Sequence, residues 1–143
     1  MYLISNVSDT YAGCENEQQF KKLYSVIELK KLWKDAHIFN IETEETIGGF
    51  PDVMIVGKMN DMLNYVHFYE FKISDLSGSI KFQPTQPAFY KHNLDMLIDV
   101  VAYNRFSKRV HVFSTNEIFD KNSPYYTTNG RVGLTGAERE LGV

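Results

Sequence analysis

The stretch Gly48–Lys72, GGFPDVMIVGKMNDMLNYVHFYEFK, decides the fold. Asp52 precedes the apolar run Val53, Met54, Ile55 and Val56, and Glu70 follows Val66, Phe68 and Tyr69. Between the runs, GKMNDMLN carries Gly57, Asn60, Asp61 and Asn64 and reads as a turn or loop. Two β-rich runs joined in this way predict an antiparallel hairpin. Side chains alternate along a strand, so Glu70 and Lys72 share one face while Phe71 enters the opposite layer. With Asp52 across the hairpin, two carboxylates and an ammonium converge. Two carboxylates suit a hard cation such as Mg²⁺, which takes few protein ligands and keeps waters for a phosphate. A lysine beside them can position a water or offset developing negative charge. The pattern implies metal-assisted phosphodiester hydrolysis.

Working outward, the N-terminal side is helical. From Glu15 to Asp35, Phe20, Leu23, Tyr24, Ile27, Leu32 and Trp33 recur at three- and four-residue steps without Gly or Pro, and Val26 and Leu29 widen the apolar stripe. Lys21, Lys22, Lys30, Lys31 and Lys34 are expected on the opposite side, as a solvated face or as a phosphate-tracking one. Residues 1–14 can add an edge strand or lie across a partner. His37–Ile41 alternates like a strand. The acidic loop ETEETIGG follows, with Glu42, Glu44 and Glu45 solvent-facing, and Gly48 and Gly49 allow a close backbone approach.

Beyond Lys72, ISDLSGSIKFQP is turn-rich, and Ser74 and Ser77 are candidates for a phosphate contact. Thr85-Gln86-Pro87 opens a second helix with Thr85 as its cap; Phe89, Tyr90, Leu94 and Leu97 form its stripe, and Gln86 and Tyr90 share a face. Ile98–Tyr103 and Arg109–Ser114 predict two further strands joined by a turn bearing Arg105, Lys108 and Arg109. Thr115 or Asn116 can cap a short helix, NEIFDK. The tail 122–143, rich in turn residues, reads as loosely structured unless a partner orders it.

The chain has 143 residues, enough for one domain with a single core, here spanning about 15–120. A hydrophobic share of 43% places it among folded globular proteins. Its formal net charge of −3 counts against DNA binding by bulk electrostatics, although a bound metal would offset the clustered acids. The single cysteine, Cys14, cannot form an intramolecular disulfide, which suits a reducing, cytoplasmic compartment. The longest apolar run, Met96–Tyr103, is broken by Asp99 and too short to span a bilayer, so no membrane role is expected.

Pro51-Asp52 followed by Glu70-x-Lys72 resembles the motif of the PD-(D/E)xK nuclease superfamily. The run Ser79–Tyr90, SIKFQPTQPAFY, resembles the serine, P-x-Q, aromatic segment of its virus-type replication–repair branch (VRR-Nuc), relatives of Holliday-junction resolvases. The likeness covers roughly residues 15–114. It implies an α/β fold with a restriction-endonuclease-like αβββαβ core, a mixed central sheet flanked by helices. It also implies a DNA endonuclease, structure-selective on branched DNA and acting as a homodimer. Asp52, Glu70 and the Phe71 carbonyl would bind Mg²⁺ or Mn²⁺, with Lys72 and Gln86 in support. A first-helix glutamate often completes the family's cluster; Glu17 fits best, with Glu15 and Glu28 as rivals, though a glutamate there also suits the positive end of the helix dipole. Lys81, Tyr90, Lys91 and Ser74 are the candidate nucleic-acid contacts. The alternative is a catalytically inactive binding or assembly module on the same fold.

Other chemistries find little support. His37, His67, His92 and His111 lack zinc spacing. No phosphate-binding glycine loop and no G-x-S-x-G motif occurs.

Overall fold

The hairpin around Asp52 and Glu70 is the centre of the computed structural model, which describes residues 2–41, 48–60 and 63–143, and for residues 58–60, 63 and 64 the backbone alone. Strand β3 (Val53–Asn60) pairs antiparallel with β4 (Leu63–Ile73), with Val53 opposite Tyr69. The expected eight-residue loop is much shorter. Gly57, Asn60 and Asn64 belong to the strands, and a register shift between Lys58 and Asn60 absorbs the irregular sequence. Asp61 of that loop, and Glu42, Glu44 and Glu45 of the acidic loop, lie outside the described residues.

Six strands form one mixed sheet in the order β1-β7-β6-β4-β3-β2. The others are β1 (Leu3–Ile4), β2 (His37–Asn40), β6 (Ile98–Asn104) and β7 (Arg109–Ser114). β4 and β6 run parallel; every other neighbouring pair is antiparallel. β6 is buried on both faces, as its continuous run IDVVAY requires of a strand covered by helices. The N-terminal arm takes the first of its two expected roles, with β1 closing the sheet edge against β7.

Alternation along β4 and β6 divides the core. Phe68, Ile98, Val100 and Ala102 face the layer of helix α3 (Thr85–His92), where Phe82 and Tyr90 pack. Tyr69, Phe71, Val101 and Tyr103 face the first helix through Phe20 and Leu29. That helix comprises α1 (Glu17–Tyr24), a π-helical turn (Ser25–Leu29) and the short α2 (Lys30–Leu32). The extra residue of a π turn rotates all that follows by about 100°. Leu32 is accordingly 70% exposed instead of lying on the buried stripe, and Val26 within the turn also faces outward.

The second helix is shorter than its periodicity predicts. It ends at His92, so Leu94 and Leu97 lie beyond it and are exposed. Pro84 stands at its cap position without a side-chain cap, and Thr85 is its first residue. The short helix after β7 is a 3₁₀ turn (Thr115–Ile118) capped by Ser114, whose partner in a capping box is Glu117.

The largest correction is the tail. Tyr125 is fully buried and stacks on Phe113 at 4.0 Å between ring centroids. β8 (Arg131–Gly133) pairs with β5 (Ser79–Lys81) in a second, two-stranded sheet, and α4 (Leu134–Leu141) buries Leu134 and Ala137. Glu138 of α4 accepts hydrogen bonds from Asn104 Nδ2 and Ser107 Oγ. The tail is ordered by its own chain.

Candidate active site

β4 extends past the start of β3, and two side-chain carboxylates meet the backbone edge left without a strand partner. In a strand, alternate residues aim their N–H and C=O at the same neighbour. Tyr69 O accepts from the Asp52 N–H at 3.1 Å, the Phe71 N–H donates to Asp52 Oδ2 at 3.1 Å, and the Ile73 N–H lies toward the Glu17 carboxylate and favours its charged form. The Phe71 carbonyl shares that edge. Asp52 thus satisfies a backbone donor that would otherwise be orphaned, and the same bond fixes where its carboxylate stands.

Glu70 and Lys72 point together into the α3 layer, as their spacing requires, and both are buried. Gln86 reaches them from the start of α3. Its Nε2 donates to Glu70 Oε1 at 2.6 Å, and its Oε1 accepts from Lys72 Nζ at 2.9 Å. The reversed amide would set its NH₂ against the ammonium and its oxygen against the carboxylate, so the network fixes the orientation. Gln86 Oε1 also accepts from the Gln83 N–H at 2.9 Å, which ties the helix start to the site. Gly49 holds β3 and α3 together. Its φ is +93°, and a Cβ there would collide with the Thr85 carbonyl oxygen.

Lys72 Nζ lies 3.9 Å from Glu70 Oε1, 4.0 Å from Glu17 Oε1 and 5.2 Å from the centre of the Phe82 ring. Glu70 is 3% exposed, and its Oε2 has no hydrogen-bond partner. Burial holds its carboxyl well above the usual range, and the neighbouring Asp52 charge adds to the shift. Burial also raises Asp52 and Glu17; the Phe71 N–H opposes it at Asp52, and the Lys72 charge opposes it at Glu17. Two carboxylates close enough to share a proton, one with a buried and unpartnered oxygen, constitute an acceptor-rich site short of positive charge.

Five predicted residues, Glu17, Asp52, Glu70, Lys72 and Gln86, therefore meet. Of the rivals to Glu17, Glu15 borders the same cleft, whereas Glu28 lies beside Tyr11 and Tyr24. Ser74 is not at the site. Its hydroxyl donates to the Asp75 carbonyl and accepts from the Arg105 N–H. Tyr90 is 1% exposed, so it cannot stack on a ligand; its unpartnered hydroxyl feels the charges of Glu70, Asp52 and Glu17. Lys81 and Lys91 line a different cleft, on another flank of α3.

Sequence reasoning missed Lys21. Expected on the solvated side of the helix, it is only 8% exposed and lines a cleft of about 540 Å³ with Glu17 and Asp52, where its charge lowers the Asp52 carboxyl. The available signal was its spacing, four residues after Glu17 and hence on the same face.

Among the described residues, no three His, Cys, Asp or Glu side chains form a group that could hold a metal ion. The site offers two carboxylates, Asp52 and Glu70, while Glu17 stands beside Lys72 at 4.0 Å. That donor set fits a Mg²⁺-type cation, which retains several waters, better than an all-protein cage. The unpartnered Glu70 oxygen is the observation that favours the fit.

Comparison with protein-family models, curated proteins and solved structures finds no match in any of the three. Among the described residues no helix is long and apolar enough to cross a membrane.

Proposed function

We propose that this chain is a metal-dependent DNA endonuclease of the PD-(D/E)xK type, with a restriction-endonuclease-like αβββαβ core. The observation that carries the reading is the convergence of Asp52 and Glu70 with Lys72, the ammonium held by Gln86. The order helix, three strands, helix, strand supports it, with β5 inserted before α3.

Asp52, Glu70 and the Phe71 carbonyl would hold Mg²⁺ or Mn²⁺. The cation, when bound, supplies neutralisation of the phosphate and acidification of a water. Lys72, its ammonium held by Gln86 beside Glu70, would offset charge that grows on the phosphate oxygens as the water oxygen bonds phosphorus. The attacking water gives up a proton to solvent, the bond to the leaving oxygen breaks, and that oxygen takes up a proton from solvent. Gln86 is a positioning residue, holding Glu70 and Lys72 in register. Glu17 and Lys21 set the charge balance at the mouth of the cleft, together with Asp52.

Branched DNA is the preferred substrate under this reading, and a homodimer would bring two sites to it. The tail is committed to its own core, so the N-terminal arm carries the dimer proposal, with Leu3 and Val7 exposed on it. A panel of four-way, flapped, duplex and single-stranded DNAs, incubated with Mg²⁺ or Mn²⁺, tests the function. Cleavage of at least one substrate, abolished by chelation, is expected. Intact DNA throughout the panel refutes it.

A further inference from the structure

Helix α3 presents two flanks. One carries Gln86 and Tyr90 to the carboxylates; the adjoining one carries Pro87 and Lys91 to a separate cleft of about 770 Å³, a size suited to a small ligand. Phe119 and Tyr126 line it together with Pro87 and Leu94, so an aromatic ligand would meet apolar and aromatic surface, with the buried Phe82 behind it. The cleft is also charged in one sense. Lys81 and Lys91 line it, no acid does, and neither ammonium has a carboxylate partner among the described residues. On a chain of net charge −3, two unpaired cations beside aromatic rings form an anion-selective spot.

The rim is preformed. The Phe82 N–H donates to the Gly130 carbonyl at 2.7 Å, the Thr127 N–H to the Ile118 carbonyl at 3.1 Å, and the Arg131 N–H to Asn129 Oδ1 at 3.0 Å. These bonds hold the loop that closes the cleft, so little ordering remains to be done on binding. Thr128 and Asn129 also line the cleft and bring a hydroxyl and a side-chain amide to it.

We infer that this cleft binds an unpaired nucleobase of a nucleic-acid strand, with the flanking phosphates at Lys81 and Lys91. Ring surface for the base and cations for the backbone are what single-strand recognition uses. The inference rests on the nuclease reading for its biological setting, because α3 would place the base beside the cleaved strand and so favour substrates with unpaired nucleotides at a branch.

The test is fluorescence anisotropy of the full chain in a chelator, so that nothing is cleaved. The probes are a labelled short oligothymidylate and an abasic chain with the same number of phosphates. Wild type is expected to bind the base-bearing strand about tenfold more tightly, the order of one stacked base. Tyr126→Ala is expected to abolish that preference, and Lys91→Glu, a change at an exposed residue that leaves packing intact, to weaken binding of both strands. Equal affinity of wild type for the two strands overturns the inference, as does displacement of the oligothymidylate by polyglutamate at equal charge concentration. Cleavage activity without base preference removes the inference and leaves the function standing. Base preference without cleavage of any DNA does the reverse.

Discussion

Glu70→Gln should make the metal-free protein more stable, although it removes a residue central to the site. Glu70 is buried beside Asp52, its Oε1 accepts from Gln86 and its Oε2 has no donor. The amide is isosteric. Its oxygen keeps the bond from Gln86, and its NH₂ takes the unpartnered position, where it can donate to Asp52. An unmet buried acceptor costs about 1–3 kcal/mol, so a gain of that order is expected near neutral pH. For a chain of this length it corresponds to a rise of roughly 3–10 °C in Tm.

The pH dependence follows from the same carboxyl. Its folded pKa lies above the usual 4.5, so between those values the native state binds more protons than the unfolded state. Stability from Glu70 is then fully present below the unfolded pKa and is lost as pH rises through the folded one. Burial lowers His111, which acts in the opposite sense and removes stability as pH falls through the unfolded histidine range. The difference between wild type and Glu70→Gln isolates the Glu70 contribution, and the variant's advantage should grow from pH 5 to pH 8. Saturating Mn²⁺ should reverse the order, adding about 4.1 kcal/mol to wild type at a thousand times its Kd and little to the variant. Thermal unfolding with and without Mn²⁺ across that pH range is the assay. A variant less stable than wild type without metal at every pH would refute the reasoning.

Three further outcomes are expected. Isothermal titration with Mn²⁺ should show binding to wild type and a loss of at least about tenfold in Asp52→Asn, because a site of two carboxylates loses half its negative ligands; equal affinity excludes the site. Glu138→Ala should destabilise by about 2–4 kcal/mol in denaturant titration, since it strands donors on Asn104 and Ser107 and removes the acid 3.4 Å from His111; a change below about 0.5 kcal/mol would mean that the tail is not anchored there. Light scattering should report a dimer that Leu3→Asp dissociates, and a wild-type monomer at tens of micromolar with branched DNA present removes the dimer proposal.

Much of the site was legible because it depends on local geometry. A two-residue period puts Glu70 and Lys72 on one face whatever surrounds them, and Gly49 before the Asp52 strand marks a close approach that only a missing Cβ permits. Lys21 was obscured because its burial is set by how the start of the first helix meets Asp52, a tertiary fact. The π turn, a change of one residue in helical phase, leaves no mark in an apolar stripe, and so Leu32 was expected inside. The tail misled for a different reason. Its Asn-Gly and Gly residues signal turns correctly, but β5 and β8 pair across some fifty residues of sequence, and each strand is too short to show a period.

The most direct test is single-turnover cleavage of a labelled branched DNA in Mn²⁺ by wild type and Lys72→Ala, with binding of the same DNA followed in parallel. Losing a fixed charge at the reacting phosphate should cost roughly 3 kcal/mol, on the order of a hundredfold in rate, while DNA affinity changes little. Cleavage by Lys72→Ala at the wild-type rate, or no cleavage by wild type at all, would contradict the assignment of this site.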